Sequence, residues 1–141
     1  SMKKAGIVLK SNPIEPGKYY SVVMDEALQG DISRGGWAAD WLNSSTVLPE
    51  LFGEGGFNIS QNKKDPAYAA YKALMDDALA QTDRAAQAAI WKKANQYALD
   101  QVWAIPTFFG RSQEFRGGNI GGGYLWYPFG SHDYDALYVI Q

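Results

Sequence analysis

The sequence predicts an α/β fold, a mixed sheet packed by helices, and three features of its 141 residues carry that expectation. Segments 65–80 and 83–102 each open on an acidic cap and place apolar residues at helical spacing. Segments 7–11 and 31–37 are short, β-branched or apolar, and bounded by turn residues. Glycine and proline clusters separate these segments.

Gly6 reads as the residue just past a helix end, and Ile7, Val8 and Leu9 then form a buried strand over 7–11. Pro13 and Pro16-Gly17 mark a turn. Tyr20, Val23, Met24 and Leu28 fall at helical spacing over 18–28, and Gly30 stops that helix. Segment 31–37 returns as a second strand, so a parallel β-α-β pairing is the economical topology.

Asn43-Ser44-Ser45 caps a short helix running through Leu48, Leu51 and Phe52, and the glycines at 53–56 end it. Asp65-Pro66 is an N-cap followed by a first-turn proline, with Tyr68, Tyr71, Met75, Ala78 and Leu79 as the apolar stripe. Asp83 caps the next helix, whose stripe is Ile90, Trp91, Ala94, Tyr97, Ala98 and Val102, while Arg84, Lys92 and Lys93 face outward. Two adjacent helices with a short connection predict an antiparallel hairpin. Segment 103–109 reads as a strand at a sheet edge because of Pro106, 113–116 as another short strand, and 137–140 as a closing strand. The remainder of 117–141 reads as an irregular tail, and the glycines at 117–123 lack the following helix that a dinucleotide or phosphate loop requires.

Composition narrows the function classes. A net charge of −2 and a pI near 5.3 argue against a nucleic-acid partner, which calls for a basic patch. No apolar run approaches the ~20 residues of a spanning helix, and no leader opens the chain. Ser1-Met2 reads as a cloning remnant. With no cysteine and a single histidine, His132, a conventional zinc site cannot be assembled. Five Trp, nine Tyr and six Phe exceed what a minimal core needs, which points to binding as well as packing.

The candidate site is Gly35-Gly36-Trp37-Ala38-Ala39-Asp40-Trp41. A strand that ends in Gly-Trp and leads through two small residues to Asp resembles the signature of the extracellular solute-binding proteins of ABC importers, the peptide and nickel class (family 5). The order of further features is similar to that family: Lys4-Ala5-Gly6, Tyr19-Tyr20, Asp65-Pro66, then Asp83, Arg84, Trp91 and Ile105-Pro106, and finally 135–140. The chain departs from the family after Asp40, where Trp41-Leu42-Asn43-Ser44 replaces a second Asp followed by Pro.

The resemblance implies that residues 3–141 are the C-terminal lobe of a two-lobed periplasmic-binding-protein-like fold (class II). It implies capture of a small solute, a short peptide, by lobe closure, with delivery to ABC importer permease subunits. The location would be extracytoplasmic, periplasmic or lipid-anchored at the outer face of the membrane, with no enzymatic activity and no cofactor. In peptide-binding members the aspartate at the position of Asp40 pairs with the ligand's ammonium, and Trp37, Ala38, Ala39 and Trp41 would line the same pocket. An isolated lobe would also expose the apolar surface its partner lobe covers, favouring self-association.

Other readings stay open. Asp40 is also placed to cap the turn that follows it. An oligosaccharide or a metal chelate would suit the same class of protein. An aromatic groove with Asp40 and Glu50 as paired carboxylates would suit a glycoside hydrolase, and the aromatic tail a stand-alone interaction module. His132, Asp133 and Asp135 lack regular metal-ligand spacing, and Arg111 and Arg116, which flank Glu114, suit either contact with a ligand carboxylate or, more commonly, strand-edge charge. Ser44-Ser45, Glu54 and Asp76-Asp77 have no histidine nearby in sequence to activate a nucleophile.

Overall fold

The computed structural model describes residues 2–54, 56–57, 62–108, 110, 113–126 and 130–141. Its centre is a helical hairpin, α3 (Tyr68–Ala80) and α4 (Arg84–Asp100). Asp83 fixes the start of α4 as expected, its Oδ1 accepting from Ala86 N at 2.7 Å, whereas Asp65 closes the turn ahead of α3 by accepting from Ala67 N at 2.8 Å, and α3 itself starts after Ala67 without a side-chain cap. The helices run antiparallel. Gln87 Nε2 donates to Ala78 O at 3.0 Å near the connection, and Tyr97 Oη donates to Ala67 O at 3.2 Å at the far end.

The seam between them alternates bulk with small residues. Tyr71, Met75 and Ala78 of α3 and Trp91, Ala94 and Ala98 of α4 are buried, at positions i, i+4, i+7 and i, i+3, i+7. The alanines let the backbones approach while the rings fill the space beside them. A shorter helix, α2 (Leu48–Phe52), lays Leu48 and Phe52 onto this core. Its exit is closed by the buried Asn62, whose Nδ2 donates to Phe52 O at 2.9 Å.

Trp103 completes the core. The N–H groups of Trp103 and Val102 return to Ala98 O and Leu99 O, at 3.1 and 2.9 Å, which is the Schellman ending of a helix. Val102 takes the left-handed position of that motif, φ 58°, where glycine is usual. The turn carries the indole of Trp103 back among Phe52, Tyr68, Tyr71 and Tyr97, with centroid separations of 6.2, 6.4, 5.2 and 6.2 Å. Its Nε1 donates to Asp65 Oδ2 at 2.9 Å. Val102, expected on the buried stripe, is instead 65% exposed, and Leu79 is exposed as well.

The strands differ from expectation. Segments 7–11 and 31–37 form no strand and no β-α-β unit: Val8 is 87% exposed, and among the described residues neither segment has a neighbouring strand to take its backbone hydrogen bonds. The first helix is shorter than expected, α1 (Tyr19–Val23), with Met24 and Leu28 exposed beyond it. The described parts of 103–109 and 113–116 are also irregular, and Phe109 lies outside the described residues.

Of the strands present among the described residues, the last lies in the expected closing segment 137–140, and the other three lie where an irregular tail was expected. β1 (Ile120–Gly121) pairs antiparallel with β4 (Tyr138–Val139), Ile120 opposite Val139 and Gly121 opposite Tyr138. β2 (Leu125–Trp126) pairs antiparallel with β3 (Ser131–His132). Close approach requires glycine at Gly122, where φ is 72° and a Cβ would strike the Ala136 carbonyl, while one on Gly121 would have to push the exposed Tyr138 ring aside. The fold is therefore mixed, rich in helix with small antiparallel ladders, and α/β in the broad sense.

Candidate functional site

Thr46 organises the loop that carries the predicted site. It is buried in the short helical turn Ser44–Thr46, which Asn43 caps by accepting from Ser45 N at 2.9 Å. The Thr46 hydroxyl donates to Asp40 Oδ2 at 2.7 Å and accepts from Asp40 N at 3.2 Å. Trp37 Nε1 donates to Thr46 O at 2.7 Å, and Trp41 Nε1 donates to Ser45 Oγ at 3.0 Å. Asn43 Nδ2 then donates to Gln87 Oε1 at 2.6 Å, which ties the loop to α4.

Asp40 thus sits in a bend, not at the end of a strand, and the capping role belongs to Asn43. Its carboxylate is exposed. Oδ2 is held by Thr46, and Oδ1 accepts no hydrogen bond among the described residues. Trp37 and Trp41 are 36% and 55% exposed, with their polar N–H groups already satisfied, so what they offer a ligand is ring surface. Trp37 also packs on Phe57, 4.8 Å between centroids. Ala38 is exposed and Ala39 half-buried in the turn between them.

The other candidates are dispersed. Glu50 is an exposed residue of α2. Asp133 Oδ2 accepts from Tyr124 Oη at 2.7 Å, which pushes the Tyr124 phenol above its usual pKa, and Asp133 Oδ1 caps the turn Tyr134–Ala136 through Asp135 N. His132 lies in β3 with both ring nitrogens enclosed and without a hydrogen-bond partner among the described residues. Among those residues no group of three His, Asp or Glu side chains could hold a metal ion. Arg116 Nη1 donates to Ile120 O at 2.9 Å, and Arg111 lies outside the described residues.

The sequence reading missed a cleft of about 480 Å³ between residues 42–44 and the flank of α4. Arg84, Gln87, Ala88, Trp91, Lys92 and Asn95 line its helical side. The signal was their spacing of three and four residues, which puts them on one stripe, although the cations alone read as a solvated face. A second hollow, about 380 Å³, lies between residues 114–117 and strands β1, β3 and β4. Among the described residues no helix is long and apolar enough to cross a membrane. Comparison of the chain with protein-family models, with curated proteins and with solved structures gave no match.

Proposed function

We propose that the chain is one lobe, the C-terminal one, of a two-lobed class II solute-binding protein that serves an ABC importer outside the cytoplasm, and that its solute is a short peptide. The observation that carries this reading is the exposed Asp40 carboxylate, held in place by Thr46 and flanked by the open rings of Trp37 and Trp41. A fixed carboxylate between apolar surfaces suits an ammonium on an apolar body, and closing a second lobe over it would strip water from the pair and strengthen it. The surface area supports a covering partner. The chain exposes 10803 Å², whereas a compact protein of 15.6 kDa exposes about 7,250 Å².

The test is an NMR titration of the chain with alanyl-phenylalanine and with its N-acetylated form. The free peptide should shift the Trp37 and Trp41 indole signals, and both acetylation and Asp40→Asn should remove the effect. Within the closed two-lobed protein, Asp40→Asn should cost on the order of 2 to 5 kcal/mol of binding. Equal binding of the two peptides would rule out ammonium recognition. Shifts produced by a maltooligosaccharide and not by either peptide would transfer the site to a sugar ligand, whose faces stack on indoles.

A further inference from the structure

The cleft beside the site has a chemistry of its own. Its wall on α4 is a stripe, Arg84 to Asn95, and its other wall is Leu42, Asn43 and Ser44. Among the described residues neither Arg84 nor Lys92 belongs to an ion pair, and none that lines the cleft is a carboxylate. Gln87 is not available to a ligand at the atoms that fix it, since Oε1 accepts from Asn43 and Nε2 donates to Ala78 O. Asn43 is engaged as well, through Nδ2 to Gln87 and Oδ1 from Ser45 N, so the remaining side-chain polar groups are the guanidinium, the ammonium, the Asn95 amide, the Ser44 hydroxyl and the Trp91 indole N–H. Leu42, Ala88 and Trp91 supply apolar surface.

Trp91 gives an independent pointer. It is 3% exposed, and its indole N–H meets no acceptor among the described residues. A buried donor left unmet costs about 1 to 3 kcal/mol, so native structures rarely keep one without a use. Two unpaired cations and an unmet donor on one stripe, with apolar surface between them, call for an acceptor-rich anion on an apolar body.

We infer that the cleft between residues 42–44 and α4 binds a carboxylate, with Arg84 and Lys92 as its charge partners and Leu42, Ala88 and Trp91 against the attached apolar group. The inference deepens the peptide reading, because a peptide carries both charges, yet it stands on different residues and can fail separately. Asp40 and Asn43 are three residues apart, so their Cα atoms are separated by at most about 11 Å. An extended di- or tripeptide spans about 7 to 11 Å, within that limit. Its ammonium would sit at Asp40 and its carboxylate in the cleft.

The test uses the chain with three small probes and reads the Trp91 indole N–H by NMR, identified with Trp91→Phe. N-acetylphenylalanine, which has a carboxylate and no ammonium, should shift that signal, and Arg84→Gln combined with Lys92→Gln should weaken the binding by about tenfold or more. Asp40→Asn should leave this probe unaffected. Uncharged N-acetylphenylalaninamide should not bind, and rising salt should weaken the carboxylate probe through screening. Phenylalanyl-phenylalanine distinguishes a peptide terminus from a free organic acid. It should bind about tenfold more tightly than N-acetylphenylalanine and lose that gain in Asp40→Asn.

Both substituted cations are exposed, so far-UV circular dichroism should match the parent chain. Should it not, Lys92→Gln alone provides the same comparison. Overturning results are an unmoved Trp91 signal with N-acetylphenylalanine, equal binding of the uncharged amide, or undiminished binding in the charge variants. No gain for the dipeptide would leave the carboxylate site standing and remove the peptide as its source.

Discussion

The hairpin region, about 43–104, and the segments on either side of it use similar residues to opposite ends. In the hairpin Tyr71 is 0% exposed, and Phe52, Trp91 and Met75 are buried with it. In the flanks Phe108 is 77% exposed, and Ile7, Leu9, Ile32 and Phe115 are exposed with it. A helix satisfies its backbone within itself and needs only a face to bury, which α3 and α4 supply to each other. An extended segment must find a neighbour for both its backbone and its side chains. The difference shows that burial here follows the availability of local hydrogen bonds, not hydrophobicity.

The sharpest way to break this comparison is to truncate one residue of each kind. Tyr71→Ala should cost about 3 to 5 kcal/mol of stability, as removal of a buried ring does. Val8→Ala and Phe108→Ala should stay within about 0.5 kcal/mol. Denaturant unfolding measures all three, and a loss at Val8 or Phe108 comparable with that at Tyr71 would mean the flanks pack in solution. A smaller effect of opposite sign is expected at the helix end. Val102→Gly should raise stability by about 1 kcal/mol, because a β-branched residue is costly at positive φ and Val102 buries little. A destabilised Val102→Gly would show that the isopropyl group is covered.

The titration expectations test the hairpin from two sides. Hydrogen bonds from the Trp103 indole and the Ala67 N–H hold the Asp65 carboxyl below the usual carboxylate range. Its contribution is therefore present above about pH 4 and is lost as pH falls through the lowered value. Burial pushes the Tyr71 phenol up, with the nearby Tyr68 adding to it, so the unfolded tyrosine ionises first and stability falls above about pH 10. Melting temperatures across pH should decline at both ends. Asp65→Asn should flatten only the acid limb, and Tyr71→Phe only the alkaline one.

What the sequence disclosed follows the same division. Asp83, Asn43 and the stripes at 71, 75, 78 and 91, 94, 98 act over a few residues, so spacing alone revealed them. The extended segments 7–11 and 31–37 were read from composition, which is silent on whether a partner strand exists. Val102 falls on the apolar stripe by spacing, because sequence periodicity does not register a backbone turning left-handed. In the candidate site the residues were visible and their contacts were not. Nothing in the order Trp37 to Trp41 reveals that a buried threonine six residues past Asp40 would anchor it. The cleft was hidden for a similar reason: cations at 84 and 92 read as solvated until residues 42–44 are known to stand opposite them.

The hydrogen bond between Trp103 and Asp65 joins residues 38 apart in sequence. The chain therefore enters and leaves the hairpin at one point, like a purse drawn shut at its neck. The helix connection lies at the opposite end, so lengthening both helices there by whole turns would hardly change the spacing of the chain at the neck, while α2, which lays Leu48 and Phe52 on the same core, would still cover its base.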